Sequence, residues 1–516
     1  MLDTRHQSYA RYAAPKLCAI RGTKIPFGSS IDYRLHVPVH PGAGTVNQLM
    51  KRLPPVKNQV QLIVYADRFG GDLSGLHTLM ESSFGPAVGG VHILPFYTPF
   101  DGSDAGFDPV DHTQVDPRLG TWDTLAELSE DYEVMTDVIV NHMSSDSPQF
   151  KDYVEKGEES QFAPLFLTMS DVFPAGATEA DLATIYRPRP GLPFTPYKLG
   201  GEPRLVWTTF TPQQVDIDSQ SEAGRASLDS ILTHLQEAGV KTIRLDAVGY
   251  CIKSPGTSCF MTPETMEYIG ELTEQARAKG LEVIVEIHSY YVKQIEIASQ
   301  VDWVYDFALP PLLLHSLFTG DNSALMKWID IRPTNATTVL DTHDGIGVID
   351  VGPDPDNPSS PGLLEPDQID ALVNQIHANS DGESAQATGA AASNLDLYQV
   401  NCTYFDALGG DDDKYLLSRA IQFFVPGIPQ VYYVGALAGG NDMDLLARSG
   451  VGRDINRHYY TDEEVSADLQ RPVVQALIAL MQLRSTHPAF DGEFTAEAEG
   501  EMSCAWRGNP LMDGQF

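Results

Sequence analysis

Ile243-Arg244-Leu245-Asp246-Ala247-Val248-Gly249-Tyr250 begins as a short buried strand, Lys241 to Leu245, and then presents an aspartate where the strand should stop. Side chains on a strand alternate with period two, so Arg244 and Asp246 project the same way. A carboxylate at the carboxyl end of a strand, beside a guanidinium, is held ionised and fixed in direction. The rival reading is structural, because many α/β strands end in Asp to cap the next helix. What favours chemistry is recurrence: acids stand in the same kind of place at Glu286 and Asp344.

Outward from this stretch, short apolar runs alternate with helical ones. Val60–Ala66, Gly90–Phe96 and Glu133–Val140 read as strands one to three, and Lys241–Leu245 as the fourth. Leu281–Ile287, Val301–Leu309, Thr337–Leu340 and Ile428–Val434 complete eight. Continuous apolar runs of this length fit strands buried on both faces. Helices are predicted over Leu76–Phe84, Thr121–Glu130, Ala223–Ala238, Thr265–Lys279 and Tyr415–Phe424. Alternation favours a parallel sheet with right-handed crossovers, and eight strands favour a closed (β/α)₈ TIM barrel. Two stretches break the rhythm. Residues 144–219, rich in Pro and aromatics, read as an inserted subdomain, and 348–395 as a second, irregular insertion.

Composition narrows the partners. A net charge of -36 argues against nucleic acid or an anionic membrane, both polyanions. Five cysteines (Cys18, Cys251, Cys259, Cys402, Cys504) with no close CxxC pairing speak against a disulfide framework or structural zinc, and point to a reducing cytoplasm. Residues 1–55 carry eight Lys/Arg against two acids, an abrupt change of sign. They are expected to form a basic, poorly ordered extension. A targeting arm, or sequence upstream of a start at Met50, are the alternatives.

Neither GxGxxG after the first strand nor GxxxxGKS/T is present, which disfavours a nucleotide site. Asp101–Asp108 fails as an EF-hand loop, having Ala105 at position five and His112 where the closing Glu belongs; another calcium geometry stays open. In a TIM barrel the active site lies at the carboxyl ends of the strands. The polar residues there are Asp104, Asn141-His142, Arg244, Asp246, Glu286, His288 and His343-Asp344. Three acids around one mouth repel one another unless the chemistry needs them, and retaining glycoside chemistry does. One must be an ionised nucleophile and another a protonated acid. Asp246, beside Arg244, suits the first role; Glu286, after Val283-Ile284-Val285, suits the second, with the two carboxyls about 5–5.5 Å apart. His142 and His343 read equally well as core histidines, and no HExxH or HxxEH spacing supports zinc.

Five separated stretches in order, DAGFDPVDH (104–112), DVIVNH (137–142), IRLDAVGY (243–250), VEIHSYY (285–291) and LDTHDGIG (340–347), resemble the short signature regions of the α-amylase family. IYRPRPGLPF (185–194), FTPQQVDID (210–218), AASNLDLYQVN (391–401) and GRDINRHYY (452–460) are similar to its sucrose phosphorylase branch. The resemblance covers about Val56 to Phe490. It implies Asp246 as the nucleophile, Glu286 as general acid/base and Asp344 as the acid that stabilises the transition state. Asp104, His142, Arg244, His343 and Arg453 match residues that grip the donor glucose, Phe107 an aromatic platform and Gln214 a polar neighbour. Arg189, Tyr250, His288, Asp396, Tyr398 and Gln399 match the acceptor side, with Arg189 the natural partner of phosphate.

The activity so implied is conversion of sucrose and phosphate to α-D-glucose 1-phosphate and D-fructose, with retention and with no metal or organic cofactor. The expected partners are these small molecules, with no nucleic acid and no membrane; a homodimer is left open. Two alternatives stand beside it: a phosphorylase of sucrose 6'-phosphate, glucosylglycerol or glucosylglycerate, and a non-catalytic α-amylase-like binding protein. The domain reading that follows is barrel at 56–143, 220–347 and 396–487, interrupted by the two insertions. The family's C-terminal antiparallel β domain is expected to be represented only by its first strands, in 488–516.

Overall fold

The computed structural model describes residues 56–188, 191–355, 357, 359–388, 398–498 and 502–507, and for 497–498 and 502–507 the backbone alone. The expected extension at 1–55, and Arg189 and Asp396 among the expected site residues, lie outside the described residues.

Eight strands pair in parallel: β1 (Gln61–Val64), β2 (Gly90–Ile93), β3 (Glu133–Ile139), β4 (Thr242–Asp246), β5 (Glu282–Val285), β6 (Trp303–Asp306), β7 (Ala336–Thr338) and β8 (Ile428–Tyr432). Each neighbours the next in sequence and β8 closes on β1, giving the expected (β/α)₈ barrel. β1, β2 and β8 are buried at every position, as strands sandwiched between a packed interior and a helical layer must be.

The barrel interior is filled by side chains in layers. Gln430 Nε2 on β8 donates to Gln61 Oε1 on β1 at 2.8 Å and also reaches Met135 Sδ on β3. β3 and β8 are not neighbours, so these residues point inward. His92, Asp137 and Arg244 are likewise buried, on β2, β3 and β4. Asp137 and Arg244 are register partners, which explains why an acid and a base meet inside an apolar barrel.

Helices α1 (Leu73–Leu79), α2 (Trp122–Asp131), α3 (Glu222–Glu237), α4 (Pro263–Ala278), α5 (Tyr291–Ile297), α6 (Leu309–Thr319), α7 (Asp412–Phe424) and α8 (Pro472–Thr486) follow the strands in turn. On α3, Leu228, Ile231, Leu232 and Leu235 are buried, the face that a 3.6-residue period selects. Thr121, Ser221 and Thr262 cap α2, α3 and α4 with side-chain oxygens that accept backbone N–H groups. No helix among the described residues is long and apolar enough to cross a membrane.

Two readings of the sequence are corrected. The sixth strand was expected to run to Leu309, but it stops at Asp306 and Leu309 opens α6. Pro310-Pro311 occupy the first turn, where proline's missing N–H costs nothing, so an apolar run that resembled a strand starts a helix. The second insertion contains a helix, Pro366–Asn379, that buries Leu372, Val373 and Ile376 and begins with a Glu365/Gln368 capping box.

Residues 144–219 include the helix Pro148–Lys156 and the hairpin Phe194–Leu199/Glu202–Trp207. Gly200-Gly201 turn the hairpin at φ 58° and 89°, the two left-handed positions of a tight turn. Phe150, Tyr153, Leu165, Phe166, Leu199 and Val206 form a hydrophobic cluster of this region's own. Near the other end, Glu493–Ala498 and Met502–Arg507 form an antiparallel pair.

Candidate active site

The carboxyl ends of the strands open into a cleft of about 900 Å³, part of it open to solvent. Thirteen of the sixteen expected site residues line it: Asp104, Phe107, His142, Gln214, Asp246, Tyr250, Glu286, His288, His343, Asp344, Tyr398, Gln399 and Arg453. Arg244 lies beneath, 3% exposed, and acts on the cleft through its contacts. Arg189 and Asp396, outside the described residues, are the other two.

Arg244 organises the floor. Its Nη1 donates to Asp246 Oδ1 at 2.8 Å and to Asp137 Oδ1. Its Nη2 lies 3.8 Å from Glu286 Oε1. One guanidinium therefore touches two carboxylates of the mouth and is itself anchored by a third. Burial by itself would raise the Asp137 carboxyl, yet His92 and Arg244 outweigh it and hold it at about 2. Asp137 stays charged and fixes the direction of Arg244.

The backbone helps to present Asp246. The next residue, Ala247, has φ 53°, a left-handed conformation that non-glycine residues seldom adopt. It turns the chain sharply into the Val248–Tyr250 turn, leaving the carboxylate at the mouth and aiming Tyr250 at the rim. Burial pushes the Asp246 carboxyl well above its ordinary range; Arg244 opposes the rise and Glu286 adds to it. Arg244 alone, therefore, does not decide the charge of Asp246.

Asp344 is held differently. Arg453 Nη1 is 2.8 Å from its Oδ1, and Arg457 Nη2 is 3.8 Å away. Burial would raise this carboxyl, but the charges around it, Arg453 foremost, win and hold it far below the carboxylate range. The His343 ring, kept neutral by burial, stacks on Phe107 with centroids 4.8 Å apart and planes 10° apart. His142, also driven toward its neutral form by burial, lies 2.9 Å from the Phe107 carbonyl through Nε2. Gln214 Nε2 meets that same ring nitrogen at 3.1 Å and donates to Asp104 Oδ2 at 3.2 Å. Both histidines are thus packed like core residues while facing the cleft.

Several contributors carried no role in the sequence reading. Asp350, fully buried, lies 2.8 Å from His288 Nδ1 and accepts from Gln294 Nε2 at 2.9 Å. Burial would lower the His288 imidazole, but Asp350 raises it, so the ring favours its cationic form 3.8 Å from Glu286. Nothing in the spacing of Asp350 announced this. Asp137 heads the stretch 137–142, and Arg457 follows Arg453 by one helical turn; those were the available signals. The rim is aromatic. Tyr250 packs on Phe260 (4.5 Å) and Phe210 (5.1 Å), and Tyr186 on Phe260 (4.7 Å). Glu286, His288 and Asp344 also have ligand atoms close enough together to hold a cation. Asp344 is paired with Arg453 and His288 with Asp350, each at 2.8 Å, whereas the contacts of Glu286 with Arg244 and His288 are longer, 3.8 Å each.

The α-amylase catalytic domain family matches residues 56–315. The chain is 60% identical over 456 residues to a sucrose phosphorylase of Bifidobacterium adolescentis, covering 88% of this chain and 90% of that one. It is 58% identical to a sucrose phosphorylase of Agrobacterium vitis, covering 88% and 93%. The crystal structure of sucrose 6F-phosphate phosphorylase from Thermoanaerobacter thermosaccharolyticum superimposes with a TM-score of 0.81 at 37% identity, covering 88% and 92%. The chain belongs to the α-amylase family and, within it, to the sucrose phosphorylase branch.

Proposed function

We propose that the chain is a glycosyltransferase that passes the glucosyl unit of sucrose to phosphate, releasing D-fructose and forming α-D-glucose 1-phosphate. The observation that carries the mechanism is the unequal sharing of Arg244. Two acids in one buried mouth retain a proton between them. The guanidinium is 2.8 Å from Asp246 and 3.8 Å from Glu286. The closer contact favours charge on Asp246, against the burial that raises its carboxyl, and suits Asp246 to the proposed role of nucleophile, with Glu286 in that of general acid/base.

In the first half-reaction an oxygen of Asp246 attacks the anomeric carbon while the bond to the fructosyl oxygen breaks. Glu286 gives its proton to that oxygen, and fructose leaves. In the second, an oxygen of hydrogenphosphate attacks the same carbon from the opposite side, Glu286 takes up its proton, and Asp246 is released. Two inversions give retention. Asp344, ionised beside Arg453, faces the positive charge that develops on the sugar ring in the transition state of each step. Phosphate brings up to two negative charges into a mouth lined by acids. The cationic tendency of His288 supports an anion there, with Arg189 proposed as its guanidinium partner.

Small substrates fit a cleft of this volume, and the free buried thiols Cys251, Cys259 and Cys402 suit the cytoplasm we propose as its setting. The test is incubation with sucrose, with and without phosphate. Glucose 1-phosphate and fructose in equal amounts, only with phosphate, is the expected result. Glucose released equally in both, without glucose 1-phosphate, would sink the phosphorylase reading. In the synthetic direction fructose should be the best acceptor; preference for fructose 6-phosphate or glycerol would reassign the substrate within the same chemistry.

A further inference from the structure

Seven residues past Asp246, the loop leaving β4 buries a lysine that has no place in the double displacement. The Lys253 side chain is 2% exposed, and its Nζ lies 2.8 Å from Asp216 Oδ2, a fully buried carboxylate. Nζ also donates to Asn141 Oδ1 at 3.0 Å, to Thr209 Oγ1 at 3.0 Å and to the Tyr250 carbonyl. The ring of Trp207 stands 5.4 Å away. An ammonium has three N–H groups, so four oxygens around one Nζ compete for them, and the arrangement holds only while all four segments stay together.

Those segments are the walls of the cleft. Asn141, at the end of β3, precedes His142 and brings its amide nitrogen within 3.4 Å of that ring. Asp216 pairs in register with His142 and lies two residues from Gln214 on the strand Gln214–Asp216. Thr209 precedes Phe210 and donates its hydroxyl to Asp216. Tyr250 belongs to the turn that follows Asp246. Every oxygen that meets the Lys253 ammonium thus belongs to a cleft-lining residue or to one within two residues of it.

We propose that Lys253 is a positioning residue: it sets the separation of the glucose-side wall (His142, Gln214) from the acceptor-side wall (Phe210, Tyr250). The inference rests on the proposed function for the names of the two sides. The bland rival is that Lys253 only neutralises Asp216. That carboxylate also accepts the Thr209 N–H at 3.0 Å, so part of its hydrogen bonding survives without the lysine.

The test is Lys253→Met beside the neutral double variant Lys253→Met/Asp216→Asn, assayed in the synthetic direction. Lys253→Met should lower the melting temperature, because a buried carboxylate loses its counter-charge. In the double variant the melting temperature should return toward wild type, while the KM for fructose stays raised about tenfold, with kcat less affected. Recovery of both melting temperature and KM would overturn the positioning role. If the double variant fails to fold, Thr209→Val decides: it removes one Lys253 partner next to Phe210 and should raise the fructose KM about threefold or more, whereas an unchanged KM overturns the proposal. A wild-type protein that makes no glucose 1-phosphate from sucrose fails the functional reading alone, since the variants are read only against a working wild type.

Discussion

The floor and the rim of the cleft are built on opposite principles. On the floor, charge sits on strand ends: Asp137, Arg244 and Asp246 belong to two neighbouring strands, and their side chains are at most 13% exposed. At the rim, aromatic side chains come from loops: Tyr186 and Phe210 from the first insertion, Tyr250 and Phe260 from the loop after β4. Floor geometry is fixed by register and alternation, so a change there must either break an ion pair or move a strand. Rim geometry depends on ring packing, which tolerates adjustment. Under the proposed function, chemistry belongs to the floor and choice of acceptor to the rim.

That division can be broken by experiment. Asp246→Ala should cost about 10⁴-fold or more in kcat, with folding intact, because a covalent step has no substitute; residual activity near wild type would remove Asp246 from the floor's chemistry. Arg244→Met should cost about 3–5 kcal/mol of stability, since Asp137 and Asp246 lose their shared counter-charge in a buried place. Denaturant unfolding measures it. The same variant should move the acid limb of kcat/KM to higher pH, because removing a cation disfavours the ionised form of Asp246.

Asp137 gives a pH test with a definite sign. Its carboxyl is held at about 2 in the fold against a usual value near 3.8, so its stabilising contribution is present above pH 4 and is lost as the pH falls toward 2. The loss should amount to about 2 kcal/mol, seen as extra acid lability of the wild type relative to Asp137→Asn. An identical slope of stability with pH in both proteins would show that Asp137 is not held low. Smallest of all should be Phe260→Ala at the rim, where loss of ring packing raises the acceptor KM by about tenfold or less and leaves kcat within about threefold. A larger fall in kcat than in acceptor affinity would erase the distinction between floor and rim.

The same contrast explains what the sequence disclosed. Period-two alternation put Arg244 and Asp246 on one side, and the observed 2.8 Å contact is its direct consequence. Eight apolar runs at barrel spacing were enough for the closed sheet. What alternation cannot express is contact between distant segments. Asp350 reaches His288 across 62 residues, and Lys253 reaches Asn141 across 112. Phe260 enters the cleft between Cys259 and Met261, whose φ angles of 52° and 51° no propensity rule anticipates for those residues. The α6 boundary was misread for a local reason: Leu309–Leu314 is apolar throughout, and only Pro310-Pro311 mark it as a helix start.

The most direct test of the floor is to catch the covalent intermediate. Glu286→Gln, mixed with sucrose, quenched in acid and digested, should yield one peptide heavier by a single glucosyl unit, with the ester on Asp246. An adduct on any other residue, or turnover of sucrose by Glu286→Gln at the wild-type rate with no adduct at all, would contradict the account.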